Sequence, residues 1–176
     1  MTTTFAPSAA QTWRVLIIDD SQDDRAAVRR LLLRGSDRRY TLTEADTGLA
    51  GLQALREADH LPECVVLDYN LPDMDAVEVL SALVNPNGLT ACPVVVLTGS
   101  VGHDYSRAVI QAGAQDYLGK GWMTAESLTR AVENATERWA MARDLRQQKA
   151  AAHASEHHYR ALANATSDVA YRMSAD

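Results

Sequence analysis

The feature that most constrains this chain is a set of short, unbroken apolar runs, each closing on a polar or acidic residue and followed by helical periodicity. Val15-Leu16-Ile17-Ile18 ends in Asp19-Asp20-Ser21, Cys64-Val65-Val66-Leu67 ends in Asp68, and Val94-Val95-Val96-Leu97 ends in Thr98. Runs without polar alternation belong to strands buried on both faces, the condition of a parallel sheet covered by helices. Tyr40 to Ala45 and Gln115 to Leu118 read as two further strands. Between them lie the helical segments. Ser21 or Asp20 can cap the first, whose apolar positions Val28, Leu31 and Leu32 lead to a stop at Arg34-Gly35. Others are expected over Thr47 to Ala58, Asp75 to Val84 and Tyr105 to Ala112, and Thr124-Ala125-Glu126 opens the last. Five strands alternating with five helices imply right-handed βαβ crossovers and a doubly wound α/β sheet.

The 176 residues leave room for one such domain and an appendage. A net charge of -6 argues against a chain that coats nucleic acid or an anionic membrane. Residues 1–12 read as a disordered extension, since Met1 to Gln11 lacks the basic start and apolar core of a signal peptide. No apolar run approaches the roughly 20 residues of a membrane span. Cys64 and Cys92 fit no disulfide framework and no metal-ligand spacing; buried thiols in a reducing cytoplasm are the expectation.

The last helix has no evident end, because Glu126 to Ala163 contains neither Gly nor Pro. Leu128, Val132, Ala135, Trp139 and Ala142 follow an a/d-like spacing, and the register then becomes ambiguous. A parallel dimeric coiled coil and a solvated helix packed only at its start are both open.

In an open parallel sheet, functional groups collect beyond the carboxyl ends of the strands. That rule selects Asp19 and Asp20, Asp68, Thr98 and Lys120. Clustered carboxylates repel one another unless a cation intervenes, and an all-oxygen set with room for water suits magnesium. A lysine ammonium and a threonine hydroxyl suit phosphoryl oxygens. Together these groups match the formation of an aspartyl phosphate, in which the protein positions the transferred group and neutralises its charge.

Over residues 13–135, with VLIIDDSQDD, VVLDYNLPDMDA, PVVVLTGS and AGAQDYLGK as the matching segments, the chain resembles the receiver domains of two-component response regulators. The resemblance implies a flavodoxin-like sheet of order 2-1-3-4-5, with Asp68 as phosphoacceptor. It implies Mg2+ held by Asp19, Asp20, Asp68 and the backbone carbonyl of Asn70, with Thr98 and Lys120 on the phosphoryl group. Tyr117 falls at the family's aromatic switch position, and Asn70 and Ser100 at positions that influence phosphoryl lifetime. The phosphodonor would be a histidine kinase or a histidine phosphotransfer protein. Two departures are Ala76, where the family usually has Gly, and Lys120-Gly121, where it usually has Lys-Pro. The segment from Tyr159 to Ser174 is similar to the opening of PAS sensor domains, which makes 136–158 a helical linker or coiled coil and 159–176 the start of a truncated PAS domain. The chain thus reads as a piece of a longer protein, with a histidine kinase preferred downstream over a diguanylate cyclase, and a homodimer through the last helix or the receiver face.

Arg25, Arg29, Arg30 and Arg34, extended by Arg38 and Arg39, form a basic helix face, either solvated or a docking surface for a phosphohistidine partner. His153, His157 and His158 lack the acidic or cysteine neighbours of a metal site. Trp122 and Trp139 suit either an interface or an intramolecular contact. A phosphorylation-controlled regulatory domain is the main expectation, and a receiver-like dimerisation scaffold without phosphorylation is the alternative. An enzyme is disfavoured, because no Asp-x-Asp, G-x-G-x-x-G or Walker loop follows the first strand. No DNA-binding output is visible.

Overall fold

The structure of the protein, a computed structural model, describes residues 12–35, 38–99 and 103–173, with side chains for all of these except 103–105 and 154–173. The expectations for residues 1–11, for Ser100 and for the side chains of the tail lie outside that set. The elements are β1 (Thr12–Ile18), α1 (Gln22–Gly35), β2 (Arg39–Ala45), α2 (Gly48–Glu57), β3 (Cys64–Asp68), α3 (Ala76–Leu83), β4 (Val94–Thr98), α4 (His103–Gln111), β5 (Asp116–Gly119), a 3-10 turn (Lys120–Trp122) and α5 (Ala125–Met173). All strand pairs are parallel, in the order β2-β1-β3-β4-β5. Two compact units divide the chain, Met1–Trp139 and Ala140–Asp176, the second consisting among its described residues of helix alone.

Period-two alternation along the strands sorts the core into two layers. Leu16, Ile18, Val65, Leu67, Val94 and Val96 face Leu52, Leu55, Val79, Leu80 and Val109, so α2, α3 and α4 cover one side. Val15, Ile17, Val66, Val95 and Leu97 face Val28, Leu32, Leu128 and Val132, so α1 and α5 cover the other. Full burial of each such side chain contributes about 1.5–3 kcal/mol. Gly35 lets α1 and α5 meet closely, because a Cβ there would stand 2.5 Å from the carbonyl oxygen of Ala125.

This packing bears on three sequence expectations. Leu128, Val132 and Ala135 are spent on the core of their own domain, so the first part of the a/d-like pattern is not a seam toward a second chain. Trp139 is likewise intramolecular, its indole N–H donating to the carbonyl of Thr90 at 2.9 Å, whereas Trp122 is 71% exposed. Cys64 and Cys92 are buried in opposite layers, and burial pushes the Cys92 thiol up to about 12 and raises that of Cys64 as well. Both are inert protonated thiols at neutral pH. Among the described residues, no helix is long and apolar enough to cross a membrane.

Candidate functional site

The carboxyl ends of β1, β3 and β4 bring the sequence-selected residues to one edge of the sheet. Asp19 is held by its backbone, with its N–H donating to Ala45 O at 3.1 Å and its Oδ1 accepting from Ser21 N–H at 2.9 Å. Arg25 fastens the same loop to α1 by donating to Asp19 O at 2.6 Å and Asp20 O at 3.2 Å. Asp68 closes β3, and its Oδ2 accepts from Asn70 N–H at 3.1 Å. The loop beyond is self-bonded, Ala76 N–H to Tyr69 O and Leu71 N–H to Met74 O, and ends in a capping box between Asp75 and Glu78. Ala76 is fully buried at the start of α3.

Carboxylate oxygens of Asp19, Asp20 and Asp68 all lie within 4.8 Å of one another. Asp19 and Asp68 are buried, and Asp20 is exposed. Lys120, at the end of β5, reaches Asp19 Oδ2 at 2.8 Å, Asp68 Oδ1 at 2.7 Å and Asp24 Oδ2 at 2.7 Å. Of these three, the contact to Asp24 has hydrogen-bond geometry, and the other two are close ion contacts. Burial by itself would lower the ammonium's pKa, but the three carboxylates of Asp19, Asp24 and Asp68 around it hold it above the ordinary lysine value. Burial raises the carboxyl of Asp19, against the pull of Lys120 and Ser21 N–H.

The donor set fits a hard divalent cation. Asp19 Oδ2 is buried and, although close to the ammonium, has no directed hydrogen bond. An oxygen in that condition, beside two further carboxylates with solvent access through Asp20, is what an octahedral oxygen-bound ion requires.

Thr98 follows Leu97, the register partner of Asp68, at the end of β4. With Tyr69, Val96, Ser106, Val109 and Tyr117 it lines a small cavity under α4. Tyr117 itself is 44% exposed at the rim. Part of the basic patch on and after α1 is committed within the chain. Arg25 and Arg29 both pair with Glu44, and Arg38 pairs with Glu133 at 2.9 Å while lying over the ring of Trp13.

Sequence reasoning missed Asp24. It sits in the first turn of α1, where an acidic residue is explained by the helix dipole alone. Only the fold, which sets the first turn of α1 beside the end of β5, shows its contact with Lys120.

The sequence profile of the family described as "Response regulator receiver domain" matches residues 15–133. The chain is 37% identical over 117 residues to the transcriptional regulatory protein KdpE of Mycobacterium tuberculosis, covering 66% of this chain and 48% of that protein. It is 30% identical over 130 residues to the sensor histidine kinase CheAY of Helicobacter pylori, covering 74% of this chain and 16% of that one. It therefore spans half or less of the length of these relatives. Among solved structures, the Mn(2+)-bound form of response regulator Rcp1 superposes with a TM-score of 0.56 at 30% identity, over 68% of this chain and 88% of that one. With its sheet order, its acidic edge and its lysine at the end of β5, the chain belongs to the response regulator receiver domain family.

Proposed function

We propose that this domain is a phosphorylation-controlled switch in which Asp68 accepts a phosphoryl group from a phosphohistidine. The observation that carries the reading is the edge where Asp19, Asp20 and Asp68 converge, with the ammonium of Lys120 against Asp19 and Asp68. A carboxylate oxygen of Asp68 attacks phosphorus, the P–N bond to the donor imidazole breaks, and the imidazole leaves with its electron pair to be protonated. Asp19, Asp20, Asp68 and the backbone carbonyl of Asn70 would hold Mg2+, which when bound neutralises charge on the transferring oxygens. Lys120 supplies a fixed positive charge to a phosphoryl oxygen, and the hydroxyl of Thr98 a hydrogen bond. As Thr98 moves toward the phosphoryl group, Tyr117 turns from its exposed position into the adjoining cavity. That repacking changes the face built from α4, β5 and α5. A two-state change of a few kcal/mol suffices to bias a connected helix.

The donor is a histidine kinase or phosphotransfer protein in the cytoplasm. The signal passes along α5, through 136–158, to a PAS region opening at 159 and an output beyond it, with a histidine kinase preferred. A homodimer through α5 would read the change. The core packing of Leu128, Val132 and Ala135 supports a seam that begins only past Trp139, where Met141 and Leu145 are exposed. Asn70 and, outside the described residues, Ser100 are the positions assigned to phosphoryl lifetime.

The test is intact mass after incubation with Mg2+ and acetyl phosphate. One added phosphoryl group is expected on the wild type, and none on Asp68→Ala or without Mg2+. No adduct, together with no response to beryllofluoride, would replace the switch by a constitutive interaction scaffold.

A further inference from the structure

Asp24 belongs to neither the acidic edge nor the groups placed on the phosphoryl position, yet it accepts a hydrogen bond from Lys120 at 2.7 Å. Three carboxylates crowd the Lys120 ammonium at 2.7–2.8 Å. Asp19 and Asp68 are buried members of the acidic edge, whereas the side chain of Asp24 is 42% exposed and comes from a different element, α1. Its oxygen accepts the Lys120 bond that has hydrogen-bond geometry.

The backbone of Asp24 is fixed, so this contact is built in. Its N–H donates to Ser21 Oγ at 3.2 Å, closing the first turn of α1. The next residue, Arg25, is bonded to the carbonyls of Asp19 and Asp20, tying that turn to the loop that carries them. The carboxylate is thus presented to Lys120 from a turn anchored to the pocket.

Two consequences point the same way. Lys120 already lies 2.7 Å from Asp68 Oδ1, but its aligned donor is engaged by Asp24, so a phosphoryl oxygen on Asp68 has to compete with that bond. Asp24 also adds a fourth carboxylate to the three of the acidic edge, so the pocket is more repulsive toward an incoming anion. Resting on the phosphoacceptor reading above, we propose that Asp24 is a positioning residue that competes with the phosphoryl group for the Lys120 ammonium, so that the domain takes up a phosphoryl group less readily than its acidic edge alone would allow. The exposure of Asp24 limits the size of the effect, because water competes for both partners.

The experiment is a calorimetric titration of the full chain with beryllofluoride at saturating Mg2+, alongside Mg2+ alone, for wild type and three variants. Asp24→Asn keeps an acceptor for Lys120 without the charge and is expected to bind beryllofluoride about threefold tighter. Asp24→Ala removes both and tightens it further, while Asp24→Glu restores wild-type affinity. Mg2+ alone moves the opposite way, binding slightly more weakly to the uncharged variants, which a general loosening of α1 would not produce. Unchanged or weaker beryllofluoride binding by Asp24→Ala, in a variant whose thermal midpoint matches wild type, overturns the proposal. Equal gains in Asp24→Asn and Asp24→Ala also overturn it, leaving only a field effect without restraint of the lysine. If the wild type itself fails to bind beryllofluoride, the phosphoacceptor reading fails, and this inference with it.

Discussion

The two ends of the sheet are built on opposite principles. At the amino end, polar groups are paired across elements. Glu63 accepts from the backbone N–H of Arg14 at 2.5 Å and from its guanidinium at 2.7 and 3.2 Å. Gln115 accepts from Val94 N–H at 2.6 Å and donates to Gly113 O at 2.7 Å. Thr136 and Trp139 of α5 reach back to the carbonyls of Glu63 and Thr90. At the carboxyl end, one lysine serves three carboxylates, and a buried oxygen of Asp19 is left without a directed bond. A matched network has one good arrangement, whereas an underpaired one has several of similar energy. The first end is suited to hold α5, and the second to change when a charge arrives.

The sharpest way to break this contrast is at Lys120. Lys120→Ala is expected to slow phosphoryl uptake from acetyl phosphate by about 100-fold or more, as loss of a preorganised charge does, measured by intact mass against time. Its unfolding midpoint in denaturant should move far less than the rate. At the other end the pattern inverts. Trp139→Ala loses aromatic packing and leaves the carbonyl of Thr90, a residue 1% exposed, without its indole donor. A loss of about 2–3 kcal/mol in urea unfolding is expected, with phosphoryl uptake unchanged. If uptake fell together with stability, the two ends would be one cooperative unit, and the contrast would fail.

The smallest effect concerns pH. Burial would raise the Glu63 carboxyl, but the side chain and backbone N–H of Arg14 win and hold it below its ordinary value of 4.5. A carboxylate depressed in the folded state contributes stability above its unfolded pKa, and that contribution disappears as pH falls through the folded value. Wild type should therefore lose stability more steeply than Glu63→Gln on acidification below 4.5. At neutral pH the substitution should cost about 1 kcal/mol. Thermal melts of both proteins across that range decide it, and parallel slopes would show that the Arg14 pair is not part of the matched end.

Much of this molecule was legible because its strands are buried on both faces. Val15 to Ile18, Val65 to Leu67 and Val94 to Leu97 cannot be read as anything partly solvated, so a covered parallel sheet follows from them. Once the sheet is parallel, the residues that end its strands share an edge, and Asp19, Asp20, Asp68, Thr98 and Lys120 become neighbours by topology. Helix faces were less legible. Leu128, Val132 and Ala135 fit a coiled-coil seam and a domain core equally well, because both use the same spacing along one side of a helix. Arg25, Arg29 and Arg38 looked like an open basic surface, since their partners Glu44 and Glu133 lie on other elements.

The sequence by itself therefore determined the layering, the edge of the sheet where charge collects and the identity of the charged groups that end its strands there, since these depend on burial period and strand direction. The tertiary structure alone decided which carboxylate Lys120 engages, where α5 ceases to belong to the core, and which arginines are already paired. Those outcomes depend on how helices distant in the chain meet across one face of the sheet, and no local pattern encodes that distance.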